Sequence, residues 1–248
     1  MGDPPKLFRA DPPRPPPGPR PRCDCFVFPH RKRQLRSLHD EPQDTSTDAW
    51  ARVLENVEQA RQSSARVLKP LEGLTGDQRS QIVTLPATIG SLTEVQELRL
   101  YGSHVVRLPP AIGGMSALRY LDVYTSHRLH FAPYELSRCH GLRDSRVSTR
   151  VLYGNYKNRG LFPHLKLPEN ARGLELSRPK TCSVCDAELG DATPVARWIT
   201  LRLGTDWWPL LVHACSGACI ERLPKPPEGY VDHPHTGGHH VEQPPARF

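Results

Sequence analysis

One feature constrains this chain more than any other: it repeats itself. LPATIGSLTEVQELRLYGSHVVR begins at Leu85 and LPPAIGGMSALRYLDVYTSHRLH begins at Leu108, a period of 23 residues. The apolar positions match pair by pair: Leu85/Leu108, Ile89/Ile112, Leu92/Met115, Val95/Leu118, Leu98/Leu121 and Leu100/Val123. An altered third copy follows with one residue inserted, carrying Phe131, Leu136, Cys139, Leu142, Ser145 and Val147 at the equivalent places. A unit this short cannot bury its own apolar edge, so neighbouring copies must stack. The alternating part of each copy reads as one short strand, with Leu98 and Leu121 turned inward and their neighbours outward.

The form LPxxIGxLxxLxxLxL over residues 82–148 resembles the leucine-rich repeat family, of the bacterial and plant variety. The resemblance implies parallel strands on one side and L-P-x-x-I-G turns returning along the other. Where that family carries asparagine, this chain has Ser103, Ser126 and Ser148. The fold class expected is therefore α/β, a short leucine-rich-repeat solenoid over residues 85–148. A helical N-terminal cap (46–84) would precede it and a C-terminal cap or connector (149–178) would follow.

The cap has its own signature. Ser46, Thr47 and Asp48 are side chains able to bond the free amides of a first helical turn. Trp50, Val53, Leu54, Val57, Ala60, Ser64, Val67 and Leu68 then recur at helical spacing, which predicts one amphipathic helix over 47–69 ended by Pro70. Thr75 would cap a second, short helix running to Gln81.

The ends of the chain are different. Of 27 prolines, nine lie in residues 1–22 and six in residues 224–248. Residues 1–39 hold nine Lys/Arg against three Asp, whereas the remaining 209 residues are nearly balanced at 24 basic and 23 acidic. The net charge of +7 thus belongs to an arm rather than to a folded body. Residues 1–45 read as a disordered Pro/Arg-rich arm and 228–248 as a His/Pro-rich tail. The start lacks the apolar run of a secretory leader, and no stretch approaches the roughly 18 apolar residues of a membrane span. These observations predict a cytoplasmic protein with no membrane partner.

Without an export signal, closely paired cysteines point to metal before disulfide. Cys182-x2-Cys185 and Cys215-Ser216-x2-Cys219 bracket a predicted β-hairpin at residues 195–213, and the second pair opens a short helix closed by Pro224. Four thiolates complete a tetrahedral shell, so one structural Zn2+ per chain is expected within a module at 179–227. A thioredoxin-type pair and four plainly buried cysteines are the alternatives, and His213 could replace Cys215 as a ligand. The order knuckle, hairpin, helix resembles a treble-clef zinc module of the TRASH- or MYM-like kind. Cys139 aligns with Leu92 and Met115 and should be a small core residue.

Two further groups of side chains are candidates for function. Outward strand positions line up across copies as Glu97, Tyr120 and Asp144, then Arg99, Asp122 and Arg146, then Tyr101, Tyr124 and Ser148. Tyrosine and arginine dominate interface hot spots, so this concave face is expected to bind a protein partner. A self-satisfied ladder with Asp122 between Arg99 and Arg146 explains the same charges. The histidines His233, His235, His239 and His240, and Cys23, Cys25 and His30 in the arm, form weaker metal-ligand patterns. Residues 149–172, dense in Tyr, Asn, Arg and His, have no evident reason for that composition.

No phosphate-binding glycine loop, nucleophile elbow or H-E-x-x-H motif is present. The chain therefore reads as a non-catalytic intracellular protein-interaction module with a structural zinc site. The alternative is a metal-responsive or nucleic-acid-associated regulator that uses the zinc module and the basic N-terminal arm.

Overall fold

The computed structural model describes residues 37–245. Cys23, Cys25, His30 and most of the basic arm lie outside the described residues.

Helix α1 (Asp48–Gln62) starts where the capping side chains stand, with the Thr47 hydroxyl accepting from the Trp50 amide at 3.2 Å. It buries Ala49, Trp50, Val53, Val57 and Ala60, but leaves Leu54 exposed. The helix is shorter than the apolar stripe suggested. The chain turns at Ser64 with a positive φ of 49°, and Val67–Leu68 become strand β1. Val67 and Leu68 fitted a helical stripe equally well; pairing with Glu97 and Leu98 decides the matter. Helix α2 (Gly76–Ser80) follows behind a reciprocal capping box between Thr75 and Gln78.

Strands β2 (Glu97–Arg99), β3 (Tyr120–Val123) and β5 (Asp144–Val147) join β1 in a four-stranded parallel sheet of order β1-β2-β3-β5. The register pairs Leu98 with Leu121 and Leu121 with Ser145, so the rows step by 23 residues and then by 24, matching the inserted residue. Tight 3-10 turns at Ala87–Ser91, Pro110–Gly114 and Tyr134–Arg138 return the chain between strands. Glycine is needed in these turns because they nearly touch: a Cβ on Gly114 would lie 2.3 Å from the Gly90 carbonyl oxygen. On the far side, serine links successive rows. Ser126 Oγ lies 2.8 Å from Ser103 Oγ, accepts from the Ser103 amide and donates to the Leu100 carbonyl, while Ser148 Oγ accepts from the Thr125 amide.

The expected solenoid with a separate zinc module is corrected at the next element. Strand β4 (Ala132–Pro133) lies inside the third copy, yet it leaves the parallel sheet and pairs with β7 (Asp206–Ala214), which is itself antiparallel to β6 (Val195–Leu203). The result is a second, mixed sheet of order β4-β7-β6. Beneath both sheets runs one continuous core, from Ala49 and Leu68 through Leu98, Leu121 and Leu136 to Trp208, Leu210, Val212 and Cys219. The described chain is a mixed α/β body in which two sheets share a core, with few and short helices. The physical reason is the open end of the copies. The apolar edge that a further copy would have covered is covered instead by the hairpin, and the Ala132↔Leu210 pairing that does so is invisible to a local period.

The connector and both flanks also differ from expectation. Tyr153 and Phe162 from residues 149–172 join Phe131, Trp198, Leu211, Leu165 and Leu38 in a smaller aromatic core. The asparagines there are turn locks: Asn155 accepts from the amides of Lys157 and Asn158 and donates to the carbonyls of Arg150 and Leu152. Helix α3 (Ala171–Leu176) follows. Residues 37–45, expected as part of an extended arm, pack as a strap. Leu38 is buried and its amide donates to Asn170; the Glu41 carboxylate pairs with Arg128 and with His39, and the Gln43 amide oxygen accepts from Val83. Residues 228–245, expected as a loose tail, cross the outer edge of β6. There Trp198 and His235 exchange both backbone hydrogen bonds, at 2.8 and 3.0 Å. Among the described residues no helix is long and apolar enough to cross a membrane.

Candidate metal centre

The knuckle bearing Cys182 and Cys185 is folded by its own backbone. The Cys182 amide donates to the Ala187 carbonyl at 2.7 Å and the Asp186 amide to the Cys182 carbonyl at 3.1 Å, with Asp186 in the left-handed region at φ 62°. Opposite it, β7 delivers Cys215 at its end, and Ser216 caps the short helix α4 (Gly217–Glu221), its hydroxyl accepting from the Cys219 amide. The hairpin β6–β7 spans the distance in sequence between the two pairs. Ser183 and His213 close the gap in space: their backbones are linked by the Ser183 amide on the His213 carbonyl, and the His213 amide donates to Ser183 Oγ, each at 2.9 Å.

The four sulfurs of Cys182, Cys185, Cys215 and Cys219 all lie within 4.8 Å of one another. Two edges of the set, Cys185–Cys215 and Cys215–Cys219, are 3.6 Å. A tetrahedron of sulfurs about 2.3 Å from a central Zn2+ has edges of about 3.8 Å. The cysteines are therefore positioned to bind a metal ion, and the spacing fits the tetrahedral thiolate shell. Among the described residues this is the one group of three or more metal-ligating side chains brought close enough to do so.

The electrostatics fit a cation as well. Burial of Cys182 opposes its ionisation, but the backbone amides of Cys185, Val184 and Cys215 outweigh it and hold the thiol down at about 6. The Val184 and Cys215 amides lie 3.4 and 3.3 Å from its sulfur. The neighbouring sulfurs move the other way. The hydrogen bond with Cys215 pushes Cys219 up to about 12, and Cys215 is raised too. Four sulfurs at such spacing cannot all carry charge unless a dication sits among them. Cys182 and Cys219 are buried whereas Cys185 and Cys215 face solvent, so the centre opens on one side.

The other sequence candidates fall elsewhere. His213 is buried, outside the ligand group, and burial holds its ring down at about 4. Cys139 lies in the main core, its thiol donating to the Ile112 carbonyl at 3.3 Å and pushed up to about 11 by burial. His233, His235 and His240 line a cavity of about 860 Å³ together with Arg197, and with His239 they form no ligand group.

The outward row of the parallel sheet carries its candidates side by side. Glu97, Tyr120 and Asp144 are register partners, as are Arg99, Asp122 and Arg146. Arg99 pairs with Glu97 at 2.6 Å, and Arg146 with Asp122 at 3.7 Å, so the charges are neutralised in neighbouring pairs. The Arg146 guanidinium lies over both the Tyr101 and Tyr124 rings, 5.4 and 4.9 Å from their centres, and Tyr124 is exposed. Asp144 turns aside toward Thr205 at the hairpin tip.

Sequence reasoning missed the residues that anchor the cysteine knuckle. Arg138 donates to the carbonyls of Cys182 and Ser183 and pairs with Asp186 at 2.7 Å. Glu135, buried beside it, bonds Ser183, and burial raises its carboxyl. A signal was present: these residues stand in the third turn where the first two copies carry only Thr88, Ala111, Ser91 and Gly114.

A scan against protein-family models matches none of them, and a search of curated proteins returns no match either.

Proposed function

We propose that the four cysteines hold one structural Zn2+ and that the protein is a non-catalytic, cytoplasmic interaction module. Its partner, in this reading, is a protein docking on the outward row of the parallel sheet. The Tyr101–Arg146–Tyr124 cluster carries the proposal. Tyrosine and arginine, held rigidly and with their charges already neutralised by neighbours, lose little entropy and little solvation on docking. A shell filled by four thiolates leaves no coordination position for a substrate, which supports a structural rather than a catalytic metal. Zinc is favoured over other metals by the all-sulfur tetrahedral set.

The test is affinity capture from the native cell with quantitative mass spectrometry, comparing wild type with Tyr124→Ala and Arg146→Ala. A partner enriched by wild type and lost from both variants, at unchanged melting temperature, supports the reading. Identical capture profiles would remove the outward row as the docking surface.

A further inference from the structure

The segment 149–172, whose composition the fold only partly explains, places a second group of side chains beside the hairpin. Lys157 Nζ lies 5.3 Å from the centre of the Tyr156 ring, and Tyr156 is 36% exposed. The Arg159 guanidinium lies 5.0 Å from the centre of the Tyr230 ring. Tyr230 in turn sits 5.7 Å from Trp207, and the Arg202 guanidinium lies 5.8 Å over the indole. Rings and cations thus alternate along Arg159, Tyr230, Trp207 and Arg202, and the pair Tyr156 and Lys157 stands on the same segment as Arg159, ending two residues before it.

This surface differs from the outward row of the parallel sheet in one decisive respect. There, each arginine has its own carboxylate. Here, among the described residues, Lys157 and Arg202 have none. Asp206 is half-buried and accepts from Ser145 Oγ at 2.8 Å, and Asp232 is bound to His233 at 2.7 Å. Arg159 is fixed by the carbonyls of Gly154, Gly229 and Pro245, so it acts as a rigid member of the run. Lys157 and Arg202, cations without a carboxylate partner set beside partly exposed aromatic rings, are complementary to a polymer that carries flat bases and regularly spaced phosphates. A protein surface rarely offers both. Duplex nucleic acid hides its base faces, which leaves the single strand.

We infer that the surface formed by Tyr156, Lys157, Arg159, Arg202, Trp207 and Tyr230 binds single-stranded nucleic acid without sequence preference. Bases stack on Tyr156 and Trp207, and phosphates pair with Lys157 and Arg202. This interaction is independent of the protein-docking face and of the metal.

The experiment uses the full chain and fluorescein-labelled oligo(dT) of about 20 nucleotides, a length chosen to exceed site sizes of about 4–16 nucleotides. Binding is read by anisotropy. Two phosphate contacts should make affinity fall roughly 7-fold between about 50 and 200 mM salt. Trp207→Ala should weaken binding about 5- to 100-fold, and Arg202→Glu should weaken it and flatten the salt slope. Tyr124→Ala should bind as wild type. Trp50, Trp198 and Trp208 are buried, so quenching of wild-type tryptophan emission by unlabelled oligo(dT) reports stacking on Trp207. Should Trp207→Ala fail to fold, the exposed substitutions Tyr156→Ala and Arg202→Glu carry the same comparison. Absence of binding at about 50 mM salt would overturn the inference. So would wild-type affinity in Trp207→Ala and Arg202→Glu, which would assign binding to the basic arm. Competition by polyglutamate as effective as that by unlabelled oligo(dT) would also overturn it, because polyglutamate has charge but no rings.

Discussion

Leu210→Ala tests whether the two sheets form one body. Leu210 is fully buried in β7, directly beside Ala132 of β4, and belongs to the same core as Leu98, Leu121 and Leu136 of the repeated copies. Truncating a fully buried leucine costs about 2–5 kcal/mol, the higher values where the surroundings cannot collapse into the space. This site is held on one side by the β6 ladder and on the other by β4, so relaxation is limited and about 3 kcal/mol is expected. For a body of this size, each 1 kcal/mol lowers the melting temperature by roughly 2–4 °C, which gives a drop of roughly 6–12 °C. Because the core is continuous, scanning calorimetry should show a single transition that moves as a whole. Hydrogen exchange at the amides of β2 and β3 should accelerate by the same free energy as exchange in β6. Two transitions, with the one belonging to the parallel sheet left at its wild-type temperature, would refute the shared core.

Two further perturbations probe separate parts of the structure. Ser126→Ala removes the hydroxyl that accepts from the Ser103 amide and donates to the Leu100 carbonyl, and leaves buried groups unpaired; it should cost about 1–3 kcal/mol in urea unfolding, whereas a midpoint equal to wild type would show that the serine rows do not link the copies. Burial first, then the neighbouring charges of His233 and His240, hold the His235 ring down at about 3, against 6.5 in an unfolded chain. A base with a lowered folded value contributes stability that is complete above pH 6.5 and lost as pH falls toward about 3. The loss should reach about 2 kcal/mol by pH 5. His235→Leu should flatten that part of the profile, and an unchanged acid limb would show that the ring is not buried as described.

What the sequence disclosed, and what it hid, follows from the range of the interactions. Strand positions in the copies repeat every 23 or 24 residues because each row must sit on the one before, so Glu97, Tyr120 and Asp144 could be aligned by counting alone. The grouping of the four cysteines was legible for a similar reason. Two C-x2–3-C pairs carry their geometry in their spacing, and the hairpin between them is fixed by a local turn at Gly204. Long-range pairings left no such trace. Nothing near Ala132 announces β7, and nothing near Leu38 announces Asn170, so the strap, the packed C-terminal segment and the shared core emerged only in three dimensions. Val67 and Leu68 show the same limit at small scale: two residues satisfied a helical stripe and a strand equally, and the neighbouring strand chose between them.

In the proposed reading Cys182, Cys185, Cys215 and Cys219 together hold one Zn2+. The most direct measurement is elemental analysis by inductively coupled plasma mass spectrometry of protein purified without chelator, on wild type, Cys139→Ser and the Cys182→Ser/Cys185→Ser double variant. About one zinc per chain is expected in wild type and in Cys139→Ser, with most of it lost in the double variant, because two sulfurs cannot complete the shell. A full complement of zinc in the double variant, or none in wild type, would contradict it.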